Sequence, residues 1–275
     1  MDKLRIAFIG TGSMGSAVLD GLLASGHPRE LISATTRTEA KAKALRDRGI
    51  SALAGETSPD ANALMAGDAD LIVLGVKPYQ IADVLQELKG EIGKNSVVIS
   101  MAAGIKLETM ASILDENPNL IRTMPNTPAT VGKGVTGLAP AGSASQAAID
   151  AAAELFEAVG AVVKISEDKI DALSAVSGSG PAWVYYIIEQ WEQVALEQGF
   201  TKADAELMVR QTLSGAIQLL EASGEEPSEL RRKVTSPGGT TERIIATMEK
   251  AELKSIFDQS LKAAVTRAAE IAKGN

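Results

Sequence analysis

The chain contains no cysteine, which excludes disulfide frames, thiol nucleophiles and thiolate metal sites. It has one histidine, His27, directly before Pro28. That dipeptide reads as a solvated connection between a helix and a strand. A histidine-based triad or metal centre has nothing to build it, and no metal site is expected. Basic residues are the minority, 27 Lys and Arg against 35 Asp and Glu, for a net charge of -8. Nucleic-acid binding rests on cationic contacts to phosphate, so that balance argues against it. It also leaves no polybasic patch for a membrane surface. No apolar run is long enough to span a bilayer, and the sequence runs directly into an apolar strand at Ile6. The expectation is a cytoplasmic protein with no leader.

What is present is 45% apolar and 23% charged over 275 residues. That composition fits a globular chain of one large or two ordinary domains.

The first half alternates strands and helices. Ile6-Ala7-Phe8-Ile9 is an apolar run, and Gly10-Thr11-Gly12-Ser13-Met14-Gly15 follows at once. Ala17, Val18, Gly21, Leu22 and Leu23 then recur at helical spacing. Strand, glycine turn and helix form the setting that a G-x-G-x-x-G dinucleotide fingerprint requires. Gly10 makes the tight turn, Gly12 admits a pyrophosphate, and Gly15 lets the helix pack close. The diphosphate then sits on the helix N-terminus. Strands read at Leu31–Thr35, Ile50–Leu53, Leu71–Val76 and Val97–Ser100, and another reads near Ile121. Helices read at 41–48 and 60–66, with a stripe of Ile81, Val84, Leu85 and Leu88. This order predicts a doubly wound parallel sheet with helices on both faces. Ligands in such sheets lie beyond the carboxyl ends of the strands. Val76-Lys77-Pro78 and Met101-Ala102-Ala103-Gly104 fall there with the glycine turn. Small residues at strand ends are also ordinary turn chemistry, but three such ends on one edge favour a cofactor trough.

NAD sites usually place an acid at the end of the second strand to hold the ribose 2′-OH. Here the tip reads Thr35-Thr36-Arg37-Thr38, with Glu39 following. Hydroxyls and a guanidinium suit a 2′-phosphate, so NADPH is expected over NADH. The alternative is that Arg37 is a solvated residue opening the next helix. Met124-Pro125-Asn126-Thr127-Pro128 is a stiff loop. It either sets Asn126 over the reactive end of the cofactor or is merely a turn.

From about Glu167 the strand signals stop. Val184, Ile187, Ile188, Trp191 and Val194 follow helical spacing, as do Phe257, Leu261, Val265 and Ala268. The reading is a Rossmann-type domain over 1–166 and an all-helical domain over 167–275. The apolar content of the second is high, so part of it is expected to face another copy of the chain. Two glycine-rich islands interrupt it. Ser177-Gly178-Ser179-Gly180-Pro181 is either a helix break with Pro181 as N1 or a close backbone packing that shapes a pocket. Ser236-Pro237-Gly238-Gly239-Thr240-Thr241 is either a helix start capped by Thr240 or Thr241, or an anion cradle with a hydroxyl donor at its lip. Both can hold, because a helix N-terminus is itself an anion site.

Taken together, Gly10-x-Gly12-x-Met14-Gly15, Val76-Lys77-Pro78, Met124 to Pro128, Ser177 to Pro181 and Val234 to Thr241 resemble the Δ1-pyrroline-5-carboxylate reductases. The match in order and spacing covers nearly the whole chain, and the last loop is its most specific part. The resemblance implies hydride transfer from NAD(P)H to the C=N carbon of pyrroline-5-carboxylate, the last step of proline biosynthesis. It implies Thr241 as hydroxyl donor to the ring nitrogen and Ser236 to Thr240 as the substrate-carboxylate loop, with Asn126 on the substrate side. It places Asn62 near the adenosine ribose and Thr36 and Arg37 at the 2′-phosphate. Val76, Lys77 and Pro78, followed by Ala102 and Ala103, lie along the cofactor. It also implies a homodimer built by the helical domains with a shared active site, in some members assembled further into a homodecamer. Gly224 stands where some members carry an acid, so no carboxylate there receives a role.

Two other readings compete. A 3-hydroxyacid dehydrogenase has a similar layout but generally needs a lysine base, and Lys233 lies just outside the islands. A sensor that binds NADPH without turnover has no need of the Ser236–Thr241 loop.

Overall fold

The computed structural model describes residues 3–114 and 119–272. Two compact units divide the chain. One runs to Ser179 and takes in the residues from Val265 onward; the other is Gly180–Ala264.

The first unit is built on eight strands: β1 (Ile6–Ile9), β2 (Ile32–Thr36), β3 (Ser51–Ala54), β4 (Leu71–Leu74), β5 (Val97–Ser100), β6 (Leu120–Met124), β7 (Gly134–Pro140) and β8 (Gly160–Lys164). They lie in the order β3-β2-β1-β4-β5-β6-β7-β8. Strands β1 to β6 pair in parallel, and the inner ones are apolar on both faces because helices cover both. On one face Val18, Leu19 and Leu22 of α1 (Ser13–Ala24) join Phe8, Ile32 and Phe156 in a buried cluster. On the other, Ile81, Val84, Leu85 and Leu88 of α4 (Ile81–Leu88) pack with Ile9, Ile72 and Leu74. The expected helical stripe on α4 is thus the buried face. The remaining helices of this unit are α2 (Glu39–Arg46), α3 (Ala61–Ala66), α5 (Leu107–Ile113), α6 (Gln146–Glu157) and α7 (Ile170–Leu173).

The sheet departs from the expected parallel arrangement at its far edge. β7 pairs antiparallel with β6, and β8 pairs parallel with β7. A parallel return needs a long crossover. Here only a 3₁₀ turn over Thr127–Val131 and Gly132 (φ 69°) separate the two strands, so the chain folds straight back. Glycine is a poor strand former, which hid β7 and β8 in the sequence. Gly134 and Gly160 sit opposite each other, and a Cβ on Gly160 (φ +145°) would lie 2.0 Å from the Gly134 carbonyl oxygen.

His27 is not solvated. It is 5% exposed. After α1, Gly26 turns at φ 94° and its N–H donates to Leu23 O, while the His27 N–H donates back to Leu22 O at 3.3 Å. This left-handed helix stop folds the next residue against the helix end.

After β8 every described element is helical. α7 leads through a π-turn, Ser174–Gly178, to the second unit. There α8 (Gly180–Glu197), α9 (Lys202–Ser223), α10 (Pro227–Lys233) and α11 (Thr240–Lys250) follow, and α12 (Leu253–Ala272) closes the chain. Within the unit Arg210 of α9 donates to Glu192 of α8 at 2.9 Å. Trp183 of α8 stacks on Phe257 of α12 with ring centroids 5.6 Å apart. Among its described residues only Ala205 and Val209 are buried. Tyr185, Trp191, Val194, Leu207, Ile217 and Met248 are all more than a third exposed.

Candidate functional site

The glycine turn is held from below by β2. The Gly10 N–H donates to Thr35 Oγ1 at 2.9 Å, and the Thr11 N–H donates to Thr35 O at 3.0 Å. Thr11 Oγ1 also reaches that carbonyl, and Ser16 Oγ donates to Thr11 O. Gly10 has φ 85°, and a Cβ there would lie 2.6 Å from Val76 Cγ1. The tight turn is therefore imposed both by backbone angle and by the neighbouring strand end. Gly15 is confined by the Gly10 carbonyl, 2.8 Å from its ideal Cβ. Gly75 was not singled out in the sequence, yet it makes the closest approach of the set. Its Cβ would fall 2.3 Å from Gly10 O. Its amide bonds Ile9 O at 2.9 Å, locking the ends of β1 and β4 together. β4 ends at Leu74, two residues short of the Val76 expected.

Gly12 differs from these. It is the N-cap of α1, it is exposed, and the nearest atom to its ideal Cβ is Gly75 O at 3.8 Å. The first turn of α1 carries no acidic residue and no side-chain cap. Exposed amides, open space and no competing anion fit a diphosphate. The structure thus predicts a clean separation for Gly12→Val. The first added carbon meets open space at this exposed cap, so the melting temperature should shift by only a degree or two. The dinucleotide loses its cradle, so the cofactor KM should rise about tenfold or more. A large loss of melting temperature with an unchanged KM would show that Gly12 serves packing instead.

The other sequence-predicted cofactor residues gather at the same edge. Val76, Lys77 and Pro78 follow β4, where the Lys77 N–H donates to Gln80 Oε1 at 3.2 Å. Met101 is tied to Leu74 O, and the Ala102 N–H bonds Ser100 Oγ. Ala103 is exposed. Thr36 is buried and donates to Thr38 O, whereas Arg37 is exposed at the tip of β2. Glu39 turns away along α2, where its carboxylate pairs with Arg46 and accepts from Thr57 Oγ1. Asn62 lies on α3, and its Nδ2 donates to Glu87 Oε2 of α4 at 2.6 Å. That bond leaves Oδ1 as its remaining acceptor.

Asn126 has a different surrounding from the one expected. It is 7% exposed. Its Nδ2 donates to Ser177 O at 2.9 Å, and its Oδ1 accepts the Val135 N–H at 2.8 Å. One amide thus fastens the Met124–Pro128 loop to the first glycine-rich island and to β7. Four residues earlier Arg122, 4% exposed, contacts Glu167 and Asp171 at 3.3 Å each. Glu167 Oε1 also accepts the Leu107 N–H at 2.7 Å. A cation on an inner strand reads in sequence as an ordinary polar residue. Only the fold reveals that it anchors the segment leading into the helices. The island's glycines are not tightly packed. The nearest atom to a Gly178 Cβ is Ser174 Oγ at 3.2 Å, and Gly180 has nothing within 4 Å. Pro181 is the second residue of α8, not the first.

The Ser236–Thr241 loop belongs to the second unit. Its cap is Gly239, with neither threonine capping; Thr240 and Thr241 are the first two residues of α11. A glycine whose extended backbone suits the cap position displaces the expected hydroxyl cap. Gly238 turns at φ 69°. The Gly239 N–H bonds Ser236 O at 3.0 Å, and the Gly238 N–H donates to Glu242 Oε2 at 2.8 Å. Thr241 is half-buried, with Ser236, Pro237 and Thr240 exposed around it. Lys233, the nearest candidate base for hydroxyacid chemistry, is ion-paired with Glu225. Among the described residues no cluster of acids and histidine could hold a metal, and no helix is long and apolar enough to cross a membrane.

Residues 167–271 match the family model described as pyrroline-5-carboxylate reductase dimerisation. Residues 5–104 match one described as NADP oxidoreductase, coenzyme F420-dependent. The pyrroline-5-carboxylate reductase of Vibrio alginolyticus is 39% identical over 276 residues, covering 99% of each chain. That of Methanosarcina acetivorans is 36% identical, covering 99% of this chain and 100% of its own. Among solved structures, the reductase of Coxiella burnetii superposes with a TM-score of 0.90 at 37% identity, covering 97% of this chain and 98% of that one. The Plasmodium falciparum reductase with NADP bound shares the fold, with a TM-score of 0.84 at 24% identity over 99% of both chains.

Proposed function

The chain belongs to the pyrroline-5-carboxylate reductase family, and we propose that it reduces Δ1-pyrroline-5-carboxylate to L-proline with NADPH as the preferred donor. The observation that carries the reading is the Ser236–Thr241 loop. It presents exposed backbone and hydroxyls at the start of an eleven-residue helix, α11, inside the family-matched region.

The exposed Gly12 and Ser13 hold the diphosphate on the N-terminus of α1, in a turn whose shape Gly10, Thr11, Met14 and Gly15 set. Val76 to Pro78, with Ala102 and Ala103, line its path, and the Oδ1 of Asn62 accepts from a ribose hydroxyl. When bound, the reduced nicotinamide supplies the hydride, and the protein supplies position and electrostatics. The substrate carboxylate binds at Ser236 to Thr240, against the hydroxyls and the first-turn amides of α11. The Gly238 and Gly239 amides are engaged by Glu242 Oε2 and Ser236 O, and the substrate carboxylate must displace Glu242 to reach the former. Anchoring it fixes the ring, so its C=N carbon is presented in one orientation. Thr241 donates its hydroxyl hydrogen to the ring nitrogen, steadying the charge that changes there. The hydride reaches the carbon of the neutral C=N, and the nitrogen, whose lone pair accepts the Thr241 hydroxyl hydrogen bond, takes its proton from solvent, so no strong protein acid is needed. Asn126 acts on the substrate side by holding its loop against Ser177.

The family-matched region 167–271 is the dimerisation and substrate domain and the residues before it the cofactor domain, although the compact units divide later, at Ser179, and return Val265 onward to the first. The exposed apolar residues on α8 and α9 are the surface a second copy covers, giving a homodimer.

The test is direct. Purified protein with DL-pyrroline-5-carboxylate should consume NADPH and yield proline, and NADH in parallel should be used less efficiently. Tight NADPH binding with no oxidation would overturn the reaction. Equal efficiency with the two donors would overturn the preference alone.

A further inference from the structure

The loop that takes the substrate carboxylate in the reading above already holds a carboxylate. Glu242 stands three residues after Gly239, the cap of α11, and its Oε2 accepts the Gly238 N–H at 2.8 Å. A glutamate at this position ordinarily reaches back to the amide of the cap itself. Here that amide is engaged, since the Gly239 N–H donates to Ser236 O at 3.0 Å. The side chain reaches one residue further instead, to the glycine that makes the turn at φ 69°.

The cations nearby offer an incoming anion little. The three that end α10 each have an acid of their own: Glu249 for Arg231, Glu229 for Arg232 and Glu225 for Lys233. The loop and the first turn of α11 are left to bind a carboxylate through hydroxyls and amides, and one of those amides is occupied. Glu242 makes no ion pair among the described residues, and the Gly238 amide is what holds its carboxylate. Its side chain is exposed, so rotation about its own bonds releases the amide with no change of backbone.

We propose that Glu242 is an internal competitor for the substrate carboxylate: it fills the Gly238 amide in the empty loop and rotates out before pyrroline-5-carboxylate binds there. The inference rests on the carboxylate-binding reading of the loop given above. Displacing Glu242 offsets part of the free energy of binding, in the bound substrate and in the transition state alike. It therefore raises the KM for the substrate and leaves kcat alone.

Glu242→Ala should lower the KM for pyrroline-5-carboxylate about threefold to tenfold, the scale of one exposed hydrogen bond to a charged group. Its kcat and its KM for NADPH should stay within about twofold of wild type. Glu242→Gln keeps a neutral acceptor for the Gly238 N–H, so its KM should fall between the other two. Calorimetry with L-proline in the presence of NADP⁺ reads the same site without turnover, and the proline Kd should fall in the same order. A side chain that merely braces the turn predicts the opposite sign. Its loss would loosen the loop, and the alanine variant would bind both carboxylates more weakly. An unchanged or raised KM in that variant therefore overturns the proposal. So does an equal fall in the alanine and glutamine variants, which would put the effect in net charge rather than in occupancy of the amide. Wild-type protein that neither turns over pyrroline-5-carboxylate nor binds proline would sink the reading of the loop itself. Turnover with a KM insensitive to Glu242 would sink this inference alone.

Discussion

Thr241→Ala is expected to lower kcat/KM for pyrroline-5-carboxylate by roughly tenfold to a thousandfold, the cost of losing one directed hydrogen bond to a changing charge. The argument starts from the inventory of groups. The chain has no cysteine, and its one histidine is buried behind α1. In the 236–241 loop Thr241 is half-buried at the second position of α11, and the cap is a glycine, so its hydroxyl is not spent on capping. Thr241→Ser keeps the hydroxyl and should recover most of the activity, which separates donation from packing. The loss should fall chiefly on kcat, because a bond that strengthens during hydride transfer favours the transition state over bound substrate. Dissociation of NADPH, followed by fluorescence, should be unchanged. Full activity in the alanine variant would remove Thr241 from the mechanism.

Gly160→Ala should carry the largest structural cost, about 2–4 kcal/mol of stability. The added carbon would meet Gly134 O at 2.0 Å and Gly134 N at 2.5 Å, both backbone atoms of the paired strand. Gly134 cannot retreat freely, since its own ideal Cβ lies 2.9 Å from Ala129 and its N–H bonds Val159 O at 2.8 Å. The φ of +145° adds backbone strain for any residue with a side chain. Gly142→Ala is the control: nothing lies within 4 Å of its ideal Cβ, and its cost should stay within about 0.5 kcal/mol. Urea midpoints at one fixed protein concentration would compare them. Should Gly160→Ala fail to fold, the soluble yield of the two variants gives the same ranking. Matching midpoints would mean that the β7–β8 edge yields without cost.

Much of the first unit was readable because its elements are long, apolar and periodic. The α4 stripe predicted burial residue by residue, and the glycine turn announced the strand before it and the helix after it. The far edge was not readable. β7 and β8 are held by glycines whose value lies in what they allow a distant backbone to do, and no local pattern carries that. The same holds for Gly75, for Arg122 and for the two bonds of Asn126, each defined by a partner remote in sequence. His27 failed for another reason. Its His-Pro setting was read as loop chemistry, but the left-handed stop at Gly26 folds it back on the helix. The last loop was recognised by composition, while its cap was misplaced because glycine competes with threonine there.

The second unit has a consequence for how the protein behaves when dilute. Of its described residues only two alanine- or valine-sized side chains are shielded from water, while tyrosines and a tryptophan stand open on α8. In the proposed homodimer the interior of this bundle is completed by a second copy, so its persistence would follow mass action, and its melting temperature should rise with protein concentration.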